Sequence, residues 1–253
     1  LCGIRHYESG GSKGGCSGTE SKGKGTGLML KGVIFDFDGT LFDSMFVWDA
    51  VGETYLRSLG KEPEEGLRKA LKNMSLQQSA AYLQEHYQLK LSVEEICAGI
   101  NRTVESFYFR TVQPKPGILE LLEEMKQRNI TMCIATATDG YQVEAALARC
   151  HMDHYFSGIF TCTEEGKGKD DPAIFRTAMA SLHTNRSNTI VFEDAHYAII
   201  TAKEDGFMVA AVYDNKEKKQ QEIRQMADVY LPDFQDRTRF WKFANTIREE
   251  MPT

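Results

Sequence analysis

Val33-Ile34-Phe35-Asp36-Phe37-Asp38-Gly39-Thr40-Leu41-Phe42-Asp43-Ser44 is the stretch on which the reading of the fold turns. Its first three residues are β-branched or aromatic, and a short unbroken apolar run of this kind suits a strand buried on both faces of a parallel sheet. The strand delivers Asp36 and Asp38 to its carboxyl end, the edge at which open α/β sheets bind ligands. Gly39 lets the chain turn sharply there. Two carboxylates this close resist joint ionisation, so either a cation neutralises them or one keeps a proton. Both outcomes suit phosphoryl transfer, which uses a carboxylate nucleophile, a divalent metal and a proton donor for the leaving oxygen. The competing reading is a solvated turn that happens to carry two aspartates. At average residue usages of roughly 5–7%, D-x-D-G-T arises by chance in only about a few per thousand chains of this length.

Outward from this segment, short apolar runs alternate with helical stretches, which predicts an α/β fold with a mainly parallel sheet. The expected strands are 31–36, 130–136, 157–161, 188–193, 207–212 and 228–231. Helices are expected at 117–128, 140–150, 171–183, 195–205 and 216–226, with a last one at 235–249. More than ninety residues separate the first two strands, and most of them read as helix. Apolar residues at Val93, Ile96, Cys97, Ile100, Val104 and Phe107 keep helical spacing, while Ser92 with Glu95 and Ser75 with Gln78 form capping boxes. With 45–60 and 64–72 this makes about four helices, and QPKPG at 113–117 marks the return to the sheet. The expected organisation is a core of 29–43 and 113–253, with 44–112 as a helical lid over the acidic loop.

Composition bounds the partners. The chain has 253 residues, 42% hydrophobic and 26% charged, with a net charge of −6. That balance argues against nucleic acid or an anionic membrane as the main partner, and no apolar run reaches the length of a membrane span. Six scattered cysteines with no C-x-x-C pair point to a reducing, cytoplasmic setting. Nine of the first 28 residues are glycine, so residues 1–28 are expected to be a disordered tail, with Met29 as the natural start. The tail string GTESKGKG nearly spells a nucleotide-binding loop, but Gly25 stands where Ser or Thr would hold magnesium and no strand precedes it.

Three further sites follow predicted strands. Thr136 ends TMCIAT and is followed by Ala137, Thr138, Asp139 and Gly140. A hydroxyl and a backbone N–H at such a junction can hold a phosphate oxygen, although a threonine can equally cap the next helix. Lys167 and Lys169 lie in KGKDDPAIF, and phosphoryl transfer needs one fixed positive charge. Glu193 and Asp194 end the strand TIVF, making with the first acids an oxygen-ligand site suited to Mg2+.

In this order the motifs resemble the haloacid dehalogenase (HAD) superfamily, in its β-phosphoglucomutase-like branch with a helical cap after the first strand. The likeness runs from about 30 to 231 and is concentrated in the four short motifs. It implies a Rossmann-like parallel sheet with an inserted four-helix cap domain. It also implies that Asp36 becomes an aspartyl-phosphate, that Asp38 is the general acid and base, and that Thr136 and the Ala137 backbone hold phosphate. Lys169 is implied as the cation, because Pro172 and Phe175 keep register with the family's K-P-x-P-x-x-F, Asp170 replacing the first proline. Mg2+ is implied at Asp36, Asp194 and the Asp38 carbonyl, with Glu193 outside them. Ala198 departs from the family's E-D-x-x-x-G. Asp38 itself selects phosphate esters, since the family's dehalogenases lack it.

The resemblance implies a phosphatase acting on a small phosphorylated metabolite, as a monomer or weak dimer. The nearest alternative is a sugar-phosphate mutase. Mutase-type caps usually offer a histidine near Trp48's position and an arginine near Leu76's, and neither is here. Trp48 and the loop Lys72-Asn73-Met74 are candidate substrate contacts, with ordinary cap core and surface as the competing reading. A catalytically dead binding module would be expected to lose an aspartate or the lysine, and all are present. His151 and His154 are spaced for one helical face but lack a third ligand; His196 is given no role, and Trp241 reads as a packing anchor.

Overall fold

The computed structural model describes residues 30–71, 74 and 76–247, apart from the side chains of Trp48 and Asp49. The glycine-rich tail with its loop-like string, Lys72, Asn73 and Ser75 lie outside the described residues, as does the side chain of Trp48. β1 (Gly32–Phe35) forms the centre of a parallel sheet, between β4 (Thr131–Thr136) and β6 (Thr189–Glu193). β5 (Ile159–Thr161) lies beyond β4, while β7 (Met208–Val212) and β8 (Val229–Leu231) lie beyond β6. The order is therefore β5-β4-β1-β6-β7-β8. Every expected strand is present, trimmed by one or two residues at an end.

Alternation along the strands builds two cores. Val33 and Phe35 face one side with Ile134 and Phe192, under α5 (Ile118–Gln127), α6 (Gly140–Arg149) and α11 (Thr238–Ala244). Ile34, Cys133 and Val191 face the other, under α8 (Ala173–Ser181), α9 (His196–Glu204) and α10 (Gln220–Met226). Both faces being covered, the strands can be apolar throughout. Ala198 is wholly buried in the second core, so its methyl group fills space there.

Between β1 and β4 stand α1 (Phe46–Ser58), α2 (Leu67–Leu71), α3 (Leu76–His86) and α4 (Val93–Arg110). They enclose a core of their own, including Leu56, Leu83, Ile96 and Ile100. Ser92 starts α4 with the expected capping box: its side chain accepts from the Glu95 N–H, and Glu95 accepts from the Ser92 N–H at 2.7 Å. The chain enters and leaves this insertion through a two-residue antiparallel ladder, β2 (Phe42–Asp43) against β3 (Gln113–Pro114). That ladder is too short for any periodic signal.

Three helical expectations are corrected. α10 starts at Gln220 rather than 216, because the Asp214 and Glu217 carboxylates accept the N–H groups of Lys216 and Lys219 and hold a turn instead. α11 gives way to a turn after Ala244, where the Thr246 N–H donates to the Phe243 carbonyl. α6 ends at Arg149, before His151; His151 has φ +55° and both it and His154 are exposed, so the two do not share a helical face. A short helix α7 (Cys162–Glu165) after β5 was not expected. Trp241 packs against the first core with the Arg128 guanidinium 4.0 Å from its ring centroid.

Candidate active site

Register carries the acids together. Phe35 pairs with Phe192, and the Asp36 N–H donates to the Phe192 carbonyl at 2.9 Å, so Asp36 leaves β1 level with Glu193 at the end of β6. Carboxylate oxygens of Asp36, Glu193 and Asp194 lie within 4.8 Å of one another, and all three residues are buried. Asp194 Oδ1 accepts from the Thr40 hydroxyl at 3.0 Å. Gly39 makes this approach possible. It holds φ +76°, and a Cβ there would fall 2.3 Å from Asp194 Oδ2.

The structure separates the two candidate lysines. Lys167 is exposed and pairs with Asp171 at 2.8 Å. Lys169 is 3% exposed, its ammonium bonded to Asp36 Oδ1 and 3.2 Å from Glu193 Oε1. Burial alone would lower its pKa, but the Asp36 and Glu193 carboxylates more than offset this and hold the ammonium charged. Burial, followed by the Asp36 charge, pushes Glu193 and Asp194 well above the usual carboxylate range. Three carboxylates around one ammonium leave negative charge in excess, and every ligand atom offered is an oxygen. That donor set suits a hard divalent cation.

Asp38 stands apart from this cluster, half-buried and hydrogen-bonded on both oxygens. Oδ1 accepts from the Ser44 hydroxyl at 2.5 Å and the Tyr108 hydroxyl at 2.6 Å, while Oδ2 accepts from the Thr138 hydroxyl at 2.5 Å. Withdrawal from water and then the Asp36 charge raise its pKa, and the three hydroxyls oppose the rise. Thr136 is wholly buried and its hydroxyl accepts the Thr138 N–H at 3.0 Å, which shapes the loop after β4; Ala137 at the tip is exposed. The Thr138 hydroxyl is thus a partner of Asp38.

Ser44 and Tyr108 were not anticipated. A signal for Tyr108 existed: it lies four residues beyond Val104 and eight beyond Ile100, on the buried face of α4, and a buried phenol needs a partner. His196, given no role above, is buried with its ring 2.9 Å from the Glu222 carboxylate.

An acidic triad with a buried lysine on two of its members, at the carboxyl edge of a parallel sheet and beside a helical insertion, marks the chain as a hydrolase of the α/β class. The model of the haloacid dehalogenase-like hydrolases matches residues 33–212, and the chain belongs to that family. A phosphorylated carbohydrates phosphatase of Thermotoga maritima is 25% identical over 177 residues, covering 70% of this chain and 82% of the relative. The β-phosphoglucomutase of Bacillus subtilis is 27% identical over 190 residues, covering 72% of this chain and 83% of the relative. Among solved structures, a Thermotoga maritima protein provisionally described as a β-phosphoglucomutase shares the fold with TM-score 0.75 at 23% identity, over 84% of this chain and 99% of that one. No helix among the described residues is long and apolar enough to cross a membrane.

Proposed function

We propose that this chain is a Mg2+-dependent phosphatase of a small phosphorylated metabolite, working through an aspartyl-phosphate on Asp36. The observation that carries the reading is the buried contact of Lys169 with Asp36, beside Glu193 and Asp194. Asp36, Asp194 and the Asp38 carbonyl would hold the ion, with Glu193 further out because both of its oxygens are engaged, Oε1 by Lys169 and Oε2 by the Asp194 N–H. A bound Mg2+ supplies positive charge to the phosphoryl oxygens.

The chain's own residues do the rest. Asp36 is the nucleophile, and Lys169 keeps it oriented while offsetting the charge of the transferring group. Asp38, with its raised pKa, gives a proton to the leaving oxygen and later takes one from the attacking water. Thr136 sets the loop whose backbone, from Ala137, orients phosphate. The helices α1–α4 act as a cap that excludes bulk water, and Trp48 and Asn73 remain its candidate substrate contacts. The four cysteines described are free, which fits a reducing, cytoplasmic setting, with the chain as a monomer or weak dimer.

A phosphate-release screen over phosphorylated sugars, sugar alcohols and nucleotides with Mg2+ tests this, run beside Asp36→Asn. Release by the wild type and none by the variant is expected; turnover that survives Asp36→Asn defeats the mechanism. The similarity to the Bacillus subtilis mutase supports a second reading, phosphoryl return to a sugar rather than to water. Interconversion of β-glucose 1-phosphate and glucose 6-phosphate with little phosphate released would select it.

A further inference from the structure

Tyr108 reaches the site from the last turn of α4, is wholly buried, and has no role in the chemistry above. Its hydroxyl donates to Asp38 Oδ1 at 2.6 Å, and Ser44 donates to the same oxygen at 2.5 Å. A carboxylate oxygen offers about two lone-pair sites, so Oδ1 is filled. Oδ2 receives Thr138 alone among the described residues and keeps a site open. The phenol cannot easily drift, because the Arg149 guanidinium of α6 donates to the Val112 carbonyl and, at 3.5 Å, to that of Tyr108, fastening the end of α4 to the core.

We propose that Tyr108 is a positioning residue for the general acid. With Ser44 it fixes the rotation of the Asp38 carboxyl group, so that Oδ2 is the oxygen that exchanges protons with the leaving group. The inference rests on the phosphatase reading above. In the first half-reaction the bond from Asp36 to phosphorus forms as the ester P–O bond breaks. The Oδ2 proton passes to the departing oxygen, which leaves as the alcohol, and Asp38 remains a carboxylate with both donors still on Oδ1. A hydroxyl that only satisfied a buried ring would have no such consequence.

The test uses leaving groups. Nitrophenolate departs without a proton, whereas phenolate is a far poorer leaving group and needs one. For the full chain with Mg2+, kcat/KM on phenyl phosphate and on p-nitrophenyl phosphate reports the steps through ester cleavage. Tyr108→Phe is expected to lower it about 10- to 100-fold on phenyl phosphate, part of the roughly 10²–10⁴ that a positioned general acid supplies, and by less than about 3-fold on p-nitrophenyl phosphate. Ser44→Ala removes the other donor to Oδ1, should show the same asymmetry, and carries the test if Tyr108→Phe fails to fold. Equal losses on the two esters, or none, overturn the role of Tyr108 and leave the phosphatase reading standing. Hydrolysis of p-nitrophenyl phosphate that persists in Asp36→Asn overturns that reading instead.

Discussion

Replacing Lys169 with methionine removes one charge and little else, since the side chain keeps most of its volume. In the native protein the Lys169 side chain is 2% exposed, and its ammonium is bonded to the side chains of Asp36, 9% exposed, and Glu193, 1% exposed. Water therefore cannot take over its role. Removing one partner of a buried ion pair costs about 3–5 kcal/mol, because the remaining charge is stranded. Here two contacting carboxylates are stranded beside a third, so the upper half of that range is expected, about 4–5 kcal/mol. For a chain of this size each kcal/mol moves Tm by about 2–4 °C, giving a fall of roughly 8–20 °C. The measurement is thermal unfolding in EDTA near pH 8, repeated at about pH 5. At the lower pH the stranded carboxylates take up protons, so the deficit shrinks. Mg2+ at a hundredfold excess over Kd adds about 2.7 kcal/mol to the variant, which brings it closer to the metal-free wild type. A metal-free Tm within about 2 °C of wild type at pH 8, or a deficit unchanged by pH, would refute the idea that this ammonium offsets the acids.

The remaining predictions concern the same cluster. Glu193 and Asp194 titrate above their unfolded values, so the native state holds protons that the unfolded chain has released. Metal-free stability must then fall as pH rises above about 5, where carboxylates of lowered pKa such as Asp205 no longer contribute a change. Glu193→Gln should flatten that fall and reduce the stabilisation by Mg2+, both read from Tm. Gly39→Ala must strain a left-handed residue, by about 1–2 kcal/mol, and push Asp194 from its place. Calorimetric titration should then show Mg2+ affinity reduced at least tenfold; an unchanged affinity would remove Asp194 from the ion's ligands.

The strands and the acids were legible because both depend on short-range chemistry: an apolar run, then carboxylates at its end. Residue type alone did not separate Lys167 from Lys169; the register of Pro172 and Phe175 favoured Lys169, and the loop before α8 turns that side chain inward while Asp171 captures Lys167. The hydroxyls around Asp38 come from three distant segments, at 44, 108 and 138, and only folding gathers them. The start of α10 was missed for a different reason. Side-chain carboxylates of Asp214 and Glu217 compete for backbone N–H groups, a local effect that apolar periodicity does not register.

The ladder of Phe42 and Asp43 against Gln113 and Pro114 brings the two ends of the helical insertion side by side. The chain thus enters and leaves the insertion at one place on the sheet, with Val47 of α1 and Val104 and Tyr108 of α4 packed into the first core. The outer part, around Leu56, Leu83 and Ile96, can vary without disturbing the strands that hold the acids. Such an attachment lets one catalytic platform accept grafted recognition elements, as an exchangeable tool head fits a fixed handle. Tyr108 limits that freedom, because it lies on the exchangeable side and touches Asp38 on the fixed side. A graft that kept this ladder but lost the phenol would leave Asp36 and the acidic cluster in place while loosening the Asp38 carboxylate, so swaps of this insertion should end before the last turn of α4.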